Sequence, residues 1–90
     1  MDARAILGWN LRRLRVEKGL SQERLALAAG IDRAYVGRVE RGEENVTINV
    51  VAAVAEALEI KVADLFVEPP AGAELPAALP PGRKPKNERA

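Results

Sequence analysis

The sequence predicts an all-α domain of five short helices over residues 1–67, followed by a flexible proline-rich tail over residues 68–90. Apolar residues recur at helical spacing in the first segment, and residues suited to helix ends separate the apolar runs. No run of alternating β-branched residues competes with this interpretation. The tail holds all six prolines of the chain, and this density favours extended, solvated backbone.

Leucine spacing and glycine define the first two helices. Three leucines share one face of a helix from about residue 3 to residue 18: Leu7, Leu11 and Leu14. Gly19 follows, where a left-handed C-terminal cap is needed. Ser21 is suited to cap the second helix, and its inward side is predicted to be Leu25 and Ala28.

The third helix is bounded by Asp32 and Gly42. Asp32 is suited to cap its N-terminal end, and Gly42 is suited to end it. Val36 and Val39 lie three residues apart, so both are predicted to point inward.

The fourth helix begins after Thr47, which is suited to cap it, and runs to about Leu58. Its valines stand among alanines, which favour helix over strand. The segment IKVADLF suggests a last short helix, with Leu65 and Phe66 closing the core.

Composition excludes most catalytic and metal-dependent functions. The chain of 90 residues forms at most one domain and contains neither cysteine nor histidine. An imidazole base, a thiol nucleophile and the usual zinc ligands are therefore missing, so we expect no enzyme, no metal and no cofactor. No apolar run is long enough for a signal peptide or a membrane span, which predicts a soluble, cytoplasmic protein.

Charge is distributed unevenly along the chain. Residues 1–42 carry nine basic and five acidic side chains, residues 43–82 one basic and seven acidic, and residues 83–90 four basic and one acidic. A basic first half suggests a face that meets a polyanion, with an accidental mixture of solvated charges as the alternative. The basic end of the tail either contacts phosphates or a partner protein, or is a solvated terminus without a role.

Gly30 and Ile31 separate the second helix from the third in the stretch SQERLALAAGIDRAYVGRVERG. Two helices joined by a short turn that contains glycine form the plan of a helix-turn-helix motif. On a helical wheel, one face of the third helix combines arginines with very small residues: Arg33, Ala34, Gly37 and Arg38. Such a face suits a helix that enters a DNA groove closely while arginines reach guanine edges. A merely solvated face would usually carry lysine, glutamate and glutamine.

The stretch LRRLRVEKGLSQERLALAAGIDRAYVGRVERGEENVTI resembles the Cro/CI-type (XRE) helix-turn-helix domain. The resemblance rests on SQ at the start of helix two, the AxxxGI turn and E-R-G near the end of helix three, and it covers roughly residues 4–66. It implies a five-helix, lambda-repressor-like fold. Within that family the segment DRAYVGRVERGEENVTI is most similar to the small controller proteins of restriction-modification systems.

The resemblance also implies roles for individual residues. Bases would be read by the arginine face of helix three, and Arg15 and Glu40 would form an internal ion pair between helices one and three. DNA phosphates would be contacted by five residues: Gln22, Tyr35, Arg41, Asn45 and Thr47. Tyr35 alternatively flanks the core with its hydroxyl at the rim. Glu43 and Glu44 depart from the controller proteins, which often carry a basic residue near the second of these positions.

The fourth helix is apolar over a wider arc than one core requires. Its apolar side chains span about 240° of the wheel, whereas a helix packed on a single core needs an apolar stripe somewhat over 100° wide. A two-fold dimer is the commonest way to cover such a surface. The predicted dimer contacts are five residues: Val50, Ala53, Val54, Ala57 and Ile60. The alternative is a monomer in which helix five and the tail complete the cover.

The arginine face of the third helix and the broad apolar arc of the fourth together predict a sequence-specific transcription regulator that binds an inverted repeat in double-stranded DNA as a homodimer. One alternative is an antitoxin whose tail clasps a toxin while its helices regulate its own operon. Another is a helical module that binds protein through the broad apolar face of the fourth helix.

Overall fold

The computed structural model describes residues 2–74, which contain four α-helices and one 3-10 helix and no β-strand. The elements follow in the order α1 (Ala3–Glu17), α2 (Gln22–Ala29), α3 (Arg33–Glu40), α4 (Ile48–Leu58) and the 3-10 helix (Val62–Phe66). The all-helical prediction is confirmed, but the fifth element is a 3-10 turn and not an α-helix. Five residues form too few i to i+4 hydrogen bonds to favour the wider α turn.

Side chains that accept backbone hydrogen bonds begin each α-helix. The predicted caps are confirmed: Ser21 Oγ accepts from Arg24 N at 3.0 Å, Asp32 Oδ2 from Ala34 N at 2.9 Å and Thr47 Oγ1 from Val50 N at 3.1 Å. Asp2 caps α1 in the same way, accepting from Ala5 N at 2.9 Å. Sequence analysis had not singled out this cap. Local chemistry therefore sets where each helix starts.

The core lies between the four helices and the 3-10 helix. Its buried members come from every element: Leu7, Leu11, Leu14, Leu25, Ala26, Val36, Val39, Val51, Val54, Ala55, Leu58 and Leu65. Two predictions of inward side chains are wrong. Ala28 is exposed, and Ala26, which follows Leu25 directly, is buried in its place. Phe66 is 44% exposed, because the tight 3-10 turn points only Leu65 into the core.

Helices α1 and α3 approach each other closely at Gly8. A Cβ atom on Gly8 would lie 2.5 Å from the carbonyl oxygen of Val39 and 2.6 Å from that of Glu40. Both obstacles are backbone atoms, which have no rotamer through which to move away. Because Gly8 has no side chain, α1 can pack at this short distance against α3, the helix that carries the arginines.

The predicted tail lies largely outside residues 2–74. Of the tail, the structure describes residues 68–74, with a turn at Ala71 and Gly72. The basic side chains of residues 83–89 lie outside the described residues. No helix among residues 2–74 is long and apolar enough to cross a membrane.

Candidate nucleic-acid interface

The turn between α2 and α3 sets the angle between these two helices. Gly30 ends α2 with φ 73° and ψ 32°, a left-handed conformation that a β-carbon disfavours. The next backbone N–H, of Ile31, donates to Ala26 O at 2.9 Å, and the Ile31 side chain packs against the core. Asp32 then caps α3. The predicted helix-turn-helix geometry is thereby built from residues 21–41.

A single open concavity collects the predicted base-reading residues at the surface of this motif. Its lining consists of seven residues: Gln22, Asp32, Arg33, Ala34, Gly37, Arg38 and Arg41. Arg33 and Ala34 are exposed at the first turn of α3. The structure thus brings all four predicted base readers together with two of the predicted phosphate contacts.

Gly37 forms the floor of this concavity and is itself buried. A Cβ there would meet only side chains, with Arg41 Nη1 at 3.3 Å and the amide of Gln22 at 3.7 Å or more. Because the two side chains cover it, direct contact between Gly37 and a base would require them to move aside. The small size of Gly37 lets Gln22 and Arg41 lie close to the α3 backbone.

The Gln22 side chain is held in place by a buried ion pair beneath the concavity. Gln22 Nε2 donates to Glu40 Oε1 at 3.0 Å. Glu40 also accepts from Arg15 Nε at 2.6 Å and from Arg15 Nη2 at 3.1 Å, and Arg15 Nη1 donates to Leu20 O at 2.8 Å. The Arg15 and Glu40 side chains are only 4% and 2% exposed. This network connects α1, α2 and α3 in one rigid arrangement.

Two contacts hold the guanidinium of Arg38. Its Nε donates to Glu44 Oε2 at 2.6 Å, and its Cζ lies 5.7 Å from the centroid of the Tyr35 ring. The hydrogen bond to Glu44 raises the pKa of Arg38 above its ordinary value. Tyr35 is half-buried and packs against the core, and its ring lies beside Arg38.

Three of the predicted phosphate contacts follow α3 in the chain: Arg41, Asn45 and Thr47. Arg41 and Asn45 are exposed, and Arg41 Nε donates to Glu43 Oε1 at 3.2 Å. Thr47 is exposed while its hydroxyl oxygen caps α4. Within residues 2–74 no group of three or more acidic side chains is placed to hold a metal ion.

The predicted dimer face of α4 is only partly available. Val54 is 4% exposed and packs in the core of the same chain, which leaves little of its side chain for a dimer contact. The other four residues are half-buried: Val50, Ala53, Ala57 and Ile60. Val54 lies on the edge of the inward arc of the helix, and packing of α4 on its neighbours turns that edge inward.

Comparison with known proteins decides the family. A family model described as helix-turn-helix matches residues 11–65, which span the C-terminal part of α1, all of α2, α3 and α4, and most of the 3-10 helix. The chain belongs to this helix-turn-helix family. The resemblance to Cro/CI-type domains, and within them to controller proteins, is confirmed.

Relatives of this helix-turn-helix chain include control proteins and a transcription factor. Control protein C.SmaI from Serratia marcescens is 45% identical over 66 residues, covering 73% of this chain and 79% of its own length. A hypothetical transcription factor from Neisseria meningitidis is 43% identical over 68 residues, and this chain covers 64% of that relative's length. The crystal structure of the restriction-modification controller protein C.AhdI from Aeromonas hydrophila superposes with a TM-score of 0.69 at 49% identity. That match covers 70% of this chain and 96% of C.AhdI.

The pairing of the two loop glutamates with arginines of the concavity was not predicted from the sequence. Glu43 and Glu44 were noted only as a departure from the controller proteins, which often carry a basic residue near the second of these positions. The structure instead joins Glu43 to Arg41 and Glu44 to Arg38. The number of acids in the loop was a signal that could have suggested pairing, but the fold of the loop decides which arginine each carboxylate meets.

Proposed function

We propose that this helix-turn-helix chain is a sequence-specific DNA-binding regulator of transcription in the cytoplasm. The observation that carries the proposal is the concavity in which Arg33, Ala34 and Arg38 lie beside Gln22 and Arg41. Arginine recognises guanine in the major groove, whereas amide and arginine side chains also bind phosphates and fix the register. The similarity of this chain to the control protein C.SmaI and to the controller protein C.AhdI supports the same function.

In this proposal α3 enters the major groove and the ends of neighbouring elements contact the backbone. Arg33, near the N-terminal end of α3, and Arg38, one and a half turns later, reach bases, while Ala34 allows close approach. Gln22 at the N-terminus of α2 contacts a phosphate, because free backbone N–H groups there attract anions. Arg41, Asn45 and Thr47 would extend the backbone contacts toward the start of α4.

Replacement of Arg41 by glutamine is expected to weaken binding to all DNA sequences and to reduce its dependence on salt. Loss of one phosphate contact should lower the slope of log K against log salt concentration by about one unit for each half-site bound. Anisotropy titrations with a random-sequence duplex between 50 and 200 mM salt measure this slope.

Lys61→Gln is the matched control, since it removes the same charge from an exposed residue beyond the C-terminal end of α4 that does not line the concavity. An equal reduction of the slope in both variants would show that Arg41 acts only through the net charge of the protein. That result would contradict the phosphate contact.

We further propose that the regulator binds an inverted repeat as a homodimer formed through α4. Four apolar residues support this: Val50, Ala53, Ala57 and Ile60 remain half-buried in the single chain. The 3-10 helix that follows extends this apolar surface, because Val62 is 47% exposed and Phe66 is 44% exposed. One module makes few base contacts, whereas a two-fold pair reads two half-sites and multiplies their discrimination.

Ala53→Glu is expected to separate the dimer while preserving the fold. Ala53 is half-buried but does not belong to the side chains that pack against the core. Each subunit of a two-fold dimer would bury the added carboxylate, so the dissociation constant should rise by at least about 100-fold. Sedimentation equilibrium measures this change.

Ala52→Glu is the control for the dimer test. Ala52 is exposed and lies about 100° away on the wheel, near Glu56 and Glu59. Dimers of normal stability in both variants would place the interface elsewhere on the molecule.

A further inference from the structure

Two adjacent glutamates of the loop after α3 each bind an arginine of the concavity, in different surroundings. Glu44 Oε2 lies 2.6 Å from Arg38 Nε, and these side chains are 26% and 43% exposed. Glu43 Oε1 lies 3.2 Å from Arg41 Nε, with 53% and 59% exposure. The contact between Glu44 and Arg38 is shorter and better shielded from water, so it restricts the arginine more strongly.

Arg38 is restricted on an edge and on a face of its guanidinium. Glu44 accepts the hydrogen bond of Nε, on one edge of the planar group. The Tyr35 ring lies 5.7 Å from Cζ, close enough for a cation-π contact. Because Glu44 engages Nε, the two terminal nitrogens remain the pair that can bind guanine O6 and N7 together.

We propose that Glu44 is a positioning residue that determines specificity by presenting Arg38 to a guanine in each half-site. The inference rests on the proposed function, since it assigns a role to Glu44 within the base-reading surface. A flexible arginine loses rotamer freedom when it binds, and a partner that fixes the side chain beforehand reduces this loss. Glu44 therefore supports the contact that distinguishes guanine from other bases.

The negative charge of Glu44 also repels DNA, but this effect does not depend on sequence. Repulsion between a carboxylate and phosphates weakens binding to every duplex alike. Positioning of Arg38 strengthens binding only where a guanine faces it. The ratio of affinities for two duplexes that differ at this one base pair cancels the repulsion and retains the positioning effect.

Glu43 offers a matched control of the same charge, one residue away. Its partner Arg41 is assigned to a phosphate and not to a base, and their contact is largely exposed. Removal of Glu43 should therefore raise affinity for all duplexes without changing the ratio.

The test uses Glu44→Ala and Glu43→Ala in the full chain. The probes are the duplex that the wild-type protein selects from a random pool, and the same duplex with one guanine replaced by adenine. That guanine is the one whose preference Arg38→Ala reduces most while leaving a measurable remainder. Glu44→Ala is expected to reduce the preference for guanine by about tenfold, within the roughly 5- to 150-fold discrimination of a good arginine-guanine pair. Glu43→Ala should leave the preference within about twofold of wild type.

A double variant separates positioning from other effects. If Glu44 acts through Arg38, Glu44→Ala should not change the preference in a chain that already carries Arg38→Ala. Thermal melting of each variant verifies that the fold persists.

Two results would overturn the inference. One is that Glu44→Ala leaves the preference for guanine unchanged while the affinities for both duplexes rise together. Glu44 would then act only by repelling DNA phosphates. The other is an equal loss of preference with and without Arg38. Failure of the wild type to select any sequence would instead refute the proposed function, and the inference with it, before any Glu44 variant is tested.

Discussion

Glu40→Ala is expected to lower the free energy of unfolding by about 3 to 5 kcal/mol, since it leaves a buried guanidinium without its partner. Arg15 would retain only the hydrogen bond to Leu20 O among its observed contacts. A loss of this size is a large share of the roughly 5 to 15 kcal/mol that stabilises a typical domain. Urea unfolding followed by circular dichroism measures it.

Glu17→Ala is the control for the Glu40 variant. It removes an exposed partner of Arg13, 3.3 Å away on the same helix. Such a pair contributes about 0.3 to 0.5 kcal/mol, so the midpoint of unfolding should shift little. Similar losses in the two variants would contradict the view that burial makes the pair between Arg15 and Glu40 a structural requirement.

Gly8→Ala is expected to destabilise the fold by about 3 kcal/mol, at the upper end of the cost of overpacking. The added Cβ would lie 2.5 and 2.6 Å from two backbone carbonyl oxygens of α3. Relief requires α1 and α3 to separate, which would also disturb the ion pair between them. The same urea titration measures this loss.

Gly37→Ala provides the comparison for the Gly8 variant. Gly37 is also a buried glycine in a helix, but its added Cβ would meet the ends of flexible side chains, the nearest at 3.3 Å. Alanine also favours helix over glycine by about 0.5 to 1 kcal/mol, so stability should stay within about 1 kcal/mol of wild type. A loss as large as that of Gly8→Ala would contradict this explanation, because contact with backbone atoms would then not set the cost.

The sequence predicted best those features that local chemistry determines. Ser21, Asp32 and Thr47 each cap a helix because a short polar side chain can reach the N–H groups of the next turn. Gly30 was expected at the turn because few other residues adopt its left-handed conformation. Each of these features depends on residues within a few positions in the chain.

Features that depend on packing between distant elements were harder to predict. The helical wheel predicted a broad apolar arc for α4. That Val54 belongs to the core of its own chain follows only from the packing of the whole domain. Phe66 and Leu65 are adjacent and both apolar, and the 3-10 turn decides that only Leu65 is buried. The pairing of Glu44 with Arg38 likewise requires the path of the loop.

The candidate site combines rigid support with exposed contact groups. Beneath the concavity, Glu40 joins Arg15 to Gln22, so the helices that present the surface are locked together. At the surface, Arg33 and Arg41 are exposed. Rigid helices with a few exposed arginines are the arrangement that groove recognition requires, because the position of α3 must be set before its side chains contact bases.

Selection of binding sites from random duplex DNA at physiological salt, with the Arg33→Ala, Arg38→Ala double variant in parallel, decides whether these arginines read bases. We expect the wild type to enrich an inverted repeat and the folded double variant to enrich none. Enrichment of the same repeat by both proteins, or of no sequence by the folded wild type, would contradict a base-reading role for these arginines.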